Sequence, residues 1–402
     1  MFTPIHVVGA GVICSLGSTY QQCFERLKTG THGITPLSTI DSIYHGVLPV
    51  GEIKQSNEAL ASAIGARVVG PRTALIGLHA AQEAWHNAGV QDPSRWRVGL
   101  ISGTTVGGMD RTEQFFPTFL SDNTTGHLRD VIHHGCGDVT DFIAEHLPVE
   151  DFVSTINTAC SSSVNSILYA SKLIRHNQLD IVIAGGTDAL TRFTINGFKS
   201  LMILDDNLCR PFDASRQGLN LGEGAGFVVL VSDRVLQEEK LKSKAIVAGG
   251  ANTSDAFHQT ASSPDGRGSF AAMKNALVAS GLSTTDIDYI NLHGTGTLNN
   301  DLSEGTAITN LFAENLPAFS STKSFTGHTL GACGGIEAVF SIMALEHQCV
   351  FPSLRFNDAM PEIALIPQLT FQHREVDHVM SNSFGFGGNC SSIIFSKPTV
   401  RL

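Results

Sequence analysis

Apolar and polar positions follow two different periods along this chain. Short apolar runs rich in β-branched residues, such as "IHVVGAGVI" and "AGFVVLVSD", predict buried strands. Longer segments between them, such as "RTALIGLHAAQEAWHNAG", repeat apolar residues with the period of a helix, and this one is expected to end at Gly89. The regular alternation of such strands and helices predicts an α/β protein with many tight turns.

The same order of elements occurs twice. In residues 1–240 the strands "RVGLISGTT", "DFVSTIN", "DIVIAGGTDAL" and "AGFVVLVSD" follow one another, and in residues 241–402 "DYINLHGTGT", "AFSSTKS", "HVMSNSFGFGG" and "CSSIIFSK" repeat that order. Two packed βαβ-rich halves predict a layered α/β/α/β/α body with a site between them. The segment of about 103–150 has no equally long counterpart, and we interpret it as an insertion that caps the site or contacts a partner subunit.

Composition narrows the function classes. The 402-residue chain has a formal net charge of -11, which argues against nucleic acid as its main partner. We expect no membrane segment and no signal peptide, because no apolar run is long enough to cross a bilayer and the first residues lack a basic region. The eight cysteines include no CxxC pair, which argues against a zinc ribbon or a thioredoxin-type site. With no signal peptide or membrane segment expected, a reducing, cytoplasmic environment is predicted.

The segment "INTACSSSVNS" (156–166) places Cys160 directly after a predicted buried strand and before a predicted helix. A thiol at this point faces the positive end of the helix dipole, which favours the thiolate and predicts a lowered pKa. Small neighbours, Ala159 and the serines 161–163, leave room for a substrate. Most cysteines of such a protein pack in its core, but the residues at matching places in the second half favour Cys160 as a nucleophile.

If the predicted halves pack together, those residues lie close to Cys160 in the folded chain. "NLHGTGTLNND" places His293 after a strand, and "STKSFTGHTLGACGGIE" places Lys323 and His328 at a strand end and loop. Because the ends of such strands converge, we expect one thiol and two imidazoles to meet. A neutral imidazole can donate its Nε2–H to an oxygen that gains negative charge, and a nearby Lys323 keeps the ring neutral. Glu337 is expected to pair with Lys323. This set suits an enolate and a tetrahedral thioester adduct.

These motifs, together with "RPFDASRQGLNLGEGAG" (210–226) and "SNSFGFGG", resemble elongating β-ketoacyl-[acyl carrier protein] synthases of the thiolase superfamily. The resemblance covers most of the chain and implies a thiolase-like fold. It implies that an acyl group moves from the phosphopantetheine thiol of an acyl carrier protein (ACP) to Cys160. Malonyl-ACP then loses carbon dioxide, and its enolate attacks the acyl thioester to extend the chain. No cofactor and no metal ion are expected.

The resemblance also implies roles for individual residues. His293 and His328 would serve decarboxylation and condensation. Lys323 and Glu337 would support them electrostatically. The remaining residues would support the site or bind substrate: Asp301, Glu304, Thr295, Thr297, Phe384, Gly387 and Asn389.

Phe386 has two implied roles. Its backbone N–H would form an oxyanion hole with that of Cys160, and its ring would gate entry to the thiol. The glycines around Phe386 leave the backbone free to move. The alternative is a simple core aromatic residue. The family usually has Thr-Asn after "GFGG", whereas this chain has Asn389 and Cys390. The chain therefore departs from the family at the residue that is expected to contact the pantetheine arm.

Partners and alternatives follow from the same resemblance. It implies a homodimer or a heterodimer with a chain-length-factor-like subunit. The unusual segment 109–147 favours a specialised pathway of aryl polyene or polyketide type. One alternative is a CoA-dependent thiolase-type enzyme with Cys390 as a second acid/base, and another is a non-catalytic chain-length-factor-like subunit. His133 and His134 beside Cys136 are a weak metal motif, and the charge-rich segment 231–244 predicts a solvated helix.

Overall fold

The computed structural model describes residues 4–66 and 70–398. In these residues the strands are β1 (Ile5–Cys14), β2 (Thr35–Pro36), β3 (Pro49–Val50), β4 (Val98–Gly103), β5 (Phe152–Ile156), β6 (Ile181–Asp188), β7 (Gly224–Ser232), β8 (Ala245–Ser254), β9 (Tyr289–Asn291), β10 (Ala318–Ser320), β11 (Cys349–Val350), β12 (Gln372–His373), β13 (His378–Gly385) and β14 (Asn389–Ser396).

The α-helices of the same residues are α1 (Tyr20–Thr29), α2 (Asn57–Ala63), α3 (Arg72–Ala88), α4 (Met109–Ser121), α5 (Arg129–Ile132), α6 (Cys136–Ala144), α7 (Ser162–Arg175), α8 (Arg192–Ser200), α9 (Asp233–Glu238), α10 (Arg267–Ser280), α11 (Leu298–Phe312), α12 (Lys323–Thr326) and α13 (Cys333–His347). Short 3₁₀ turns are formed by Pro93–Arg95, Thr284–Asp286, Leu330–Ala332 and Phe386–Gly388.

The strand order repeats across the main sheet. Ten strands of the described chain form this sheet in the order β10-β9-β13-β14-β8-β1-β7-β6-β4-β5. Read outward from its centre, β1-β7-β6-β4-β5 on one side matches β8-β14-β13-β9-β10 on the other. The two sides meet through only two residue pairs, His6 with Ile246 and Val7 with Ala245. The internal duplication predicted from the sequence is therefore present in the sheet, while the division at residue 240 stays a prediction.

Three apolar clusters form the layers. Helices α3 and α6 cover the outer face of the first half, where Phe227 and Val229 of β7 point. Helices α10 and α11 cover the outer face of the second half. Helices α7 and α13 contact each other and strands of both halves, and Val228 and Leu230 of β7 point to them. This alternation of side chains along a strand gives the predicted α/β/α/β/α layering, and the predicted α/β, thiolase-like fold class is confirmed.

Most predicted elements are present, with differences in length. Gly89 ends α3 in a left-handed conformation, as expected for a helix C-cap. The solvated helix expected over 231–244 is only the short α9, and a loop follows it. The segment 103–150 contains α4, α5 and α6. None of the helices in residues 4–66 and 70–398 combines the length and the apolar character needed to cross a membrane.

Candidate active site

Cys160 lies in a strained turn between β5 and α7. Ala159, directly before it, has a φ of 55°, in the left-handed region that is unfavourable for any residue with a Cβ. Ser162 stabilises the turn, since its Oγ accepts the N–H of Thr158 at 2.9 Å and donates to the carbonyl of Ala159 at 2.5 Å. The turn holds Cys160 immediately before the first residues of α7.

The predicted thiol and imidazoles meet. One nitrogen of His293, one nitrogen of His328 and the Sγ of Cys160 all lie within 4.8 Å of one another. His293 follows β9, and His328 lies between α12 and α13. The two imidazole rings are perpendicular, with centroids 5.4 Å apart. Strand ends from both halves therefore converge at one point, as the sequence predicted.

Hydrogen bonds to the two imidazoles define where their protons lie. The Nδ1 of His328 accepts the N–H of Leu330 at 3.0 Å, and the Nδ1 of His293 lies 3.3 Å from the Nζ of Lys323. The Nε2 atom of each neutral ring therefore carries the proton. Burial, and then the charge of Lys323, lower the pKa of His328 to about 3 and that of His293 well below its usual value. Both rings are neutral N–H donors.

Lys323 supplies a buried positive charge. It begins α12 and forms an ion pair with Glu337 of α13, and both side chains are almost fully buried. Burial opposes the charged form of Lys323, but the Glu337 carboxylate together with the other acidic groups nearby gives a net rise in the pKa of Lys323. The predicted pair is thus present. Because the ion pair is buried, the charge of Lys323 acts strongly on the neighbouring imidazoles and thiol.

The pKa of Cys160 differs from the sequence prediction. Burial raises the pKa of its thiol to about 11, although the charge of Lys323 and the N–H of Phe386 lower it in part. The lowered pKa expected from the helix start is therefore wrong, because the side chain is only 6 % exposed and removal of water disfavours the thiolate. At neutral pH Cys160 is therefore mainly a thiol.

Two buried carboxylates fix the glycine-rich turn behind His293. The Glu304 carboxylate accepts the N–H groups of His293 at 2.9 Å and Gly294 at 2.7 Å, and Asp301 accepts the N–H of Thr295 at 3.0 Å. Burial raises the pKa of Glu304 to about 7 against the effect of these hydrogen bonds. Neither carboxylate lines the cavity at Cys160, so both act on the site by holding the backbone.

Two cavities open at Cys160. The first has a volume of about 210 Å³, and the second has about 220 Å³. The first is lined by both imidazoles and by hydroxyl and amide groups, among them Thr295, Thr297, Thr260, Ser262, Gln217 and Asn299, as well as by Phe384. The second is almost entirely apolar, with Val106, Met109, Phe193, Phe198 and Leu330 in its wall.

Phe386 borders both cavities. Its ring stacks on Phe198, with centroids 5.8 Å apart and an interplanar angle of 16°. The side chain is only half-buried. Phe386 is therefore not a residue of the packed core, and its ring lies where movement would change access between the two cavities and Cys160.

Asp188 and the wall of the apolar cavity were not predicted from the sequence. The Asp188 carboxylate accepts hydrogen bonds from Thr105, Val106 and the N–H of Gly331 at 2.7 Å. It therefore joins two parts of the chain that line the apolar cavity. An acidic residue that directly follows the apolar run "IVIAGGT" was a signal for this role. Met109, Phe193 and Phe198 carry no such signal.

Three predicted or alternative residues lie outside the two cavities. The N–H of Gly387 donates to the carbonyl of Gln259 at 2.7 Å. The Asn389 carboxamide is hydrogen-bonded to the turn that carries Cys160. Cys390 packs against Phe384, and burial raises its pKa to about 12. The expected contact of Gly387 or Asn389 with substrate is therefore not supported by their positions.

Potential metal ligands in the described residues belong to the same buried groups. Two sets have ligand atoms within 4.8 Å, namely Cys160, His293 and His328, and His293, Cys333 and Glu337. Both sets include His293, whose Nδ1 lies 3.3 Å from the Lys323 ammonium. A positive charge at this distance repels a second cation. The chemistry of these sets is therefore better described by hydrogen bonding than by metal ligation.

Comparison with known proteins shows the family to which this chain belongs. Residues 2–235 match the model of the beta-ketoacyl synthase N-terminal domain, and residues 244–357 match that of its C-terminal domain. A 3-oxoacyl-[acyl-carrier-protein] synthase 2 of Staphylococcus aureus (strain N315) is 33% identical over 97% of this chain and 97% of its own length.

Solved structures are similar over nearly the whole chain. The ishigamide ketosynthase/chain length factor has a TM-score of 0.93 and 27% identity, with 99% of this chain and 100% of that chain covered. A ketosynthase in complex with its chain length factor from Xenorhabdus doucetiae has a TM-score of 0.82 and 32% identity, with coverage of 99% and 98%.

Proposed function

Since this chain belongs to the β-ketoacyl synthase family and is a condensing acyltransferase, we propose that Cys160 carries the acyl chain while malonyl-ACP is decarboxylated beside it. The observation that carries this proposal is the position of the Cys160 thiol. It lies within 4.8 Å of two imidazole nitrogens and at the junction of a polar and an apolar cavity.

The first step is acyl transfer. Cys160 attacks the thioester carbonyl of an acyl-ACP, and the thiol proton ends on the released phosphopantetheine thiol. The backbone N–H of Phe386, which points to the Cys160 sulfur, and the N–H of Cys160 itself would stabilise the oxyanion of the tetrahedral adduct. The apolar cavity would receive the acyl chain, because its wall offers aromatic and aliphatic side chains and few hydrogen-bonding groups.

The second step is decarboxylative condensation. Loss of carbon dioxide from malonyl-ACP leaves negative charge on the thioester oxygen of the enolate. The Nε2–H groups of His293 and His328 are the donors available to that oxygen, and the Lys323 charge keeps both rings neutral. The enolate carbon then attacks the acyl thioester. Cys160 leaves as a thiolate and takes up one proton from solvent, because burial favours the thiol.

An ACP is the proposed partner for both steps. The polar cavity is lined by hydroxyl and amide groups that can hydrogen-bond the amides of a phosphopantetheine arm. Thr295 and Thr297 are the threonines of this wall that follow His293 in the sequence. The relatives are synthases that act with an acyl carrier protein by name.

A dimer is proposed from an exposed sheet edge. In the described chain β5 is the last strand on its side of the sheet and pairs only with β4. Val153 of β5 and Tyr169 of α7 are large exposed apolar residues near this edge, and α4 exposes Phe116 and Leu120. Unpaired edges and apolar patches of this kind are covered in stable proteins. A second copy of the chain is the proposed cover, and a chain-length-factor-like subunit is the alternative.

Two further candidate functions are less well supported. A thiolase-type enzyme would need a second cysteine as acid/base, but Cys390 is buried beside Phe384 and lines neither cavity. A non-catalytic subunit would not need the buried Lys323–Glu337 pair beside two imidazoles and a thiol.

The similarity to two ketosynthase–chain length factor structures supports a specialised, polyketide-type or aryl polyene pathway.

Mass spectrometry of the intact protein tests the proposed role of Cys160. After incubation with a panel of acyl-ACPs, the wild-type chain is expected to gain one acyl group on the peptide that contains Cys160, and Cys160→Ala is expected to gain none. Cys136→Ala is the matched control, because Cys136 is a partly exposed thiol outside the two cavities. An acyl group on the Cys160→Ala variant would disprove the assignment. Activity with acetyl-CoA alone would favour the thiolase alternative.

A further inference from the structure

A single side-chain oxygen joins the loop of Phe386 to the turn of Cys160. The Oδ1 of Asn389 accepts hydrogen bonds from the Oγ of Ser161 at 2.7 Å, the Nδ2 of Asn165 at 2.9 Å and the Nδ2 of Asn252 at 2.6 Å. Ser161 directly follows Cys160, and Asn165 lies one turn farther along α7. Asn252 is on β8, the neighbouring strand of β14. Three donors from two different elements therefore share one acceptor.

The network extends to the other side of Cys160. The Nδ2 of Asn165 also donates to the Oγ1 of Thr158 at 2.8 Å, and the Oδ1 of Asn165 accepts the Oγ of Ser391 at 2.8 Å. Asn389 thus contacts the residue after Cys160 directly and the residue two positions before it through Asn165. The conformation of the Cys160 turn is coupled to β14 by side chains alone.

The other end of the Phe386 loop also packs on the Cys160 turn. Gly385 lies so close that a Cβ there would be 2.9 Å from the carbonyl oxygen of Thr158 and 3.2 Å from the backbone nitrogen of Cys160. Between Gly385 and Asn389, Gly387 and Gly388 each have a φ of 77°. These glycines are the flexible part of the loop. Both ends of the loop are therefore fixed to the turn that carries the nucleophile.

We propose that Asn389 is a positioning residue that fixes the backbone N–H of Phe386 against Cys160 and restricts movement to residues 386–388. The proposal rests on the proposed function, because it concerns the acyl transfer to Cys160. Asn389 does not line either cavity at Cys160, so it acts through Phe386 and Cys160 rather than on substrate.

The test compares Asn389→Ala with Asn389→Asp in the full chain. Alanine removes the acceptor, whereas aspartate keeps an oxygen for all three donors. For Asn389→Ala we expect the turnover number of acyl transfer from acyl-ACP to fall about tenfold, because a small misplacement of an oxyanion donor is costly. The KM for acyl-ACP is expected to stay within about twofold, because the cavity walls are unchanged. Aspartate is expected to restore most of the rate.

A second readout separates positioning from general stability. Loosening the Phe386 loop is expected to raise, by about threefold or more, the carbon dioxide released from malonyl-ACP per condensed product, and a purely structural loss would not change this ratio. Asn165→Ala, which removes the adjacent part of the network, should change it in the same direction and serves if Asn389→Ala does not fold. Asn87→Ala is the matched control, since its amide donates to the carbonyl of Ala10 and takes no part in this network.

A failure of the positioning role of Asn389 can be distinguished from a failure of the proposed function. If the wild-type chain forms no acyl-Cys160, the proposed function fails. If the wild-type chain is acylated and both Asn389→Ala and Asn165→Ala match it in acylation rate and in carbon dioxide per product, the positioning role of Asn389 is wrong. Equal losses in Asn389→Ala and Asn389→Asp would also overturn it, because the acceptor oxygen would then be irrelevant.

Discussion

Two strand–turn–helix units occupy equivalent places in the two halves of the sheet but differ in what their turns carry. β5 leads to α7 through residues 157–161, and β10 leads to α13 through residues 321–332. Both helices belong to the central layer. The short turn carries one reactive atom, the Cys160 sulfur. The long turn carries Lys323 and His328 and leads to Glu337.

The two units also differ in burial. β5 is half-exposed and forms the sheet edge proposed to meet a partner, whereas β10 and the residues that follow it are buried. A strained turn of a few residues is enough to hold a thiol at a helix start. A lysine charge beside two imidazoles is effective only where water is excluded, and it needs a carboxylate partner to be stable there. The longer, buried turn supplies both. The duplicated scaffold therefore places the proposed nucleophile and the buried Lys323–Glu337 pair in separate units.

The largest effect is expected in the first unit. Because the pKa of Cys160 is raised to about 11, the reactive thiolate is a minor species at neutral pH. Its alkylation by iodoacetamide should therefore rise about tenfold per pH unit between pH 7 and 10, or about a thousandfold overall. Peptide mapping of the eight cysteines over this range measures the rate at Cys160 separately. A rate that levels off above pH 8 would show that the helix start outweighs burial.

In the second unit, the imidazoles are expected to control decarboxylation. His293→Ala and His328→Ala each remove an N–H donor, so release of carbon dioxide from malonyl-ACP should fall by about 10² or more. Acyl transfer to Cys160 should suffer less, because its oxyanion is stabilised by backbone N–H groups. His176→Ala, an exposed histidine at the end of α7, is the control. Full decarboxylase activity in both imidazole variants would contradict this division of roles.

The charge of Lys323 links the two units, because it acts on the imidazoles and on the Cys160 thiol. Lys323→Met combined with Glu337→Gln removes the buried pair without leaving an unpaired charge. The pKa of His328, now about 3, should rise, because the positive charge that opposes protonation is gone. The loss of decarboxylation at acid pH, which follows protonation of the ring, should therefore begin at a higher pH in the double variant than in the wild type. Parallel pH profiles for both proteins would exclude this role.

The sequence was sufficient to predict most secondary-structure elements and the convergence of the thiol and the two imidazoles. His293, His328 and Lys323 each lie at a predicted strand end with glycines nearby, and the convergence of strand ends is a general property of such sheets. The neutral state of the imidazoles also followed from the expected position of Lys323. Local patterns and one topological rule thus predicted most of the polar side of the site.

The remaining features depend on packing between distant residues. Phe198 and Met109 form the apolar cavity from separate helices, and no short motif marks them. The raised pKa of Cys160 comes from burial in the assembled fold, which the turn sequence alone does not show. Asn389 bonds Ser161 across a sequence separation of 228 residues. Such contacts arise only when both halves are assembled, so the pattern of one segment could not predict them.

The smallest effect is expected at Phe386, whose ring borders both cavities at Cys160 and stacks on Phe198. Phe386→Ala should cost only about 2 kcal/mol of stability, because the partial burial of the ring and its aromatic pair with Phe198 each contribute about 1 kcal/mol. Phe395→Ala is the matched control: this ring of β14 is fully buried, and its loss should cost about 3–5 kcal/mol. If Phe386 is a gate, its loss should also let unacylated enzyme decarboxylate malonyl-ACP a few times faster. A large drop in melting temperature without this uncoupled release would mean that Phe386 only fills space, and the order of the two substrates would then depend on another part of the site.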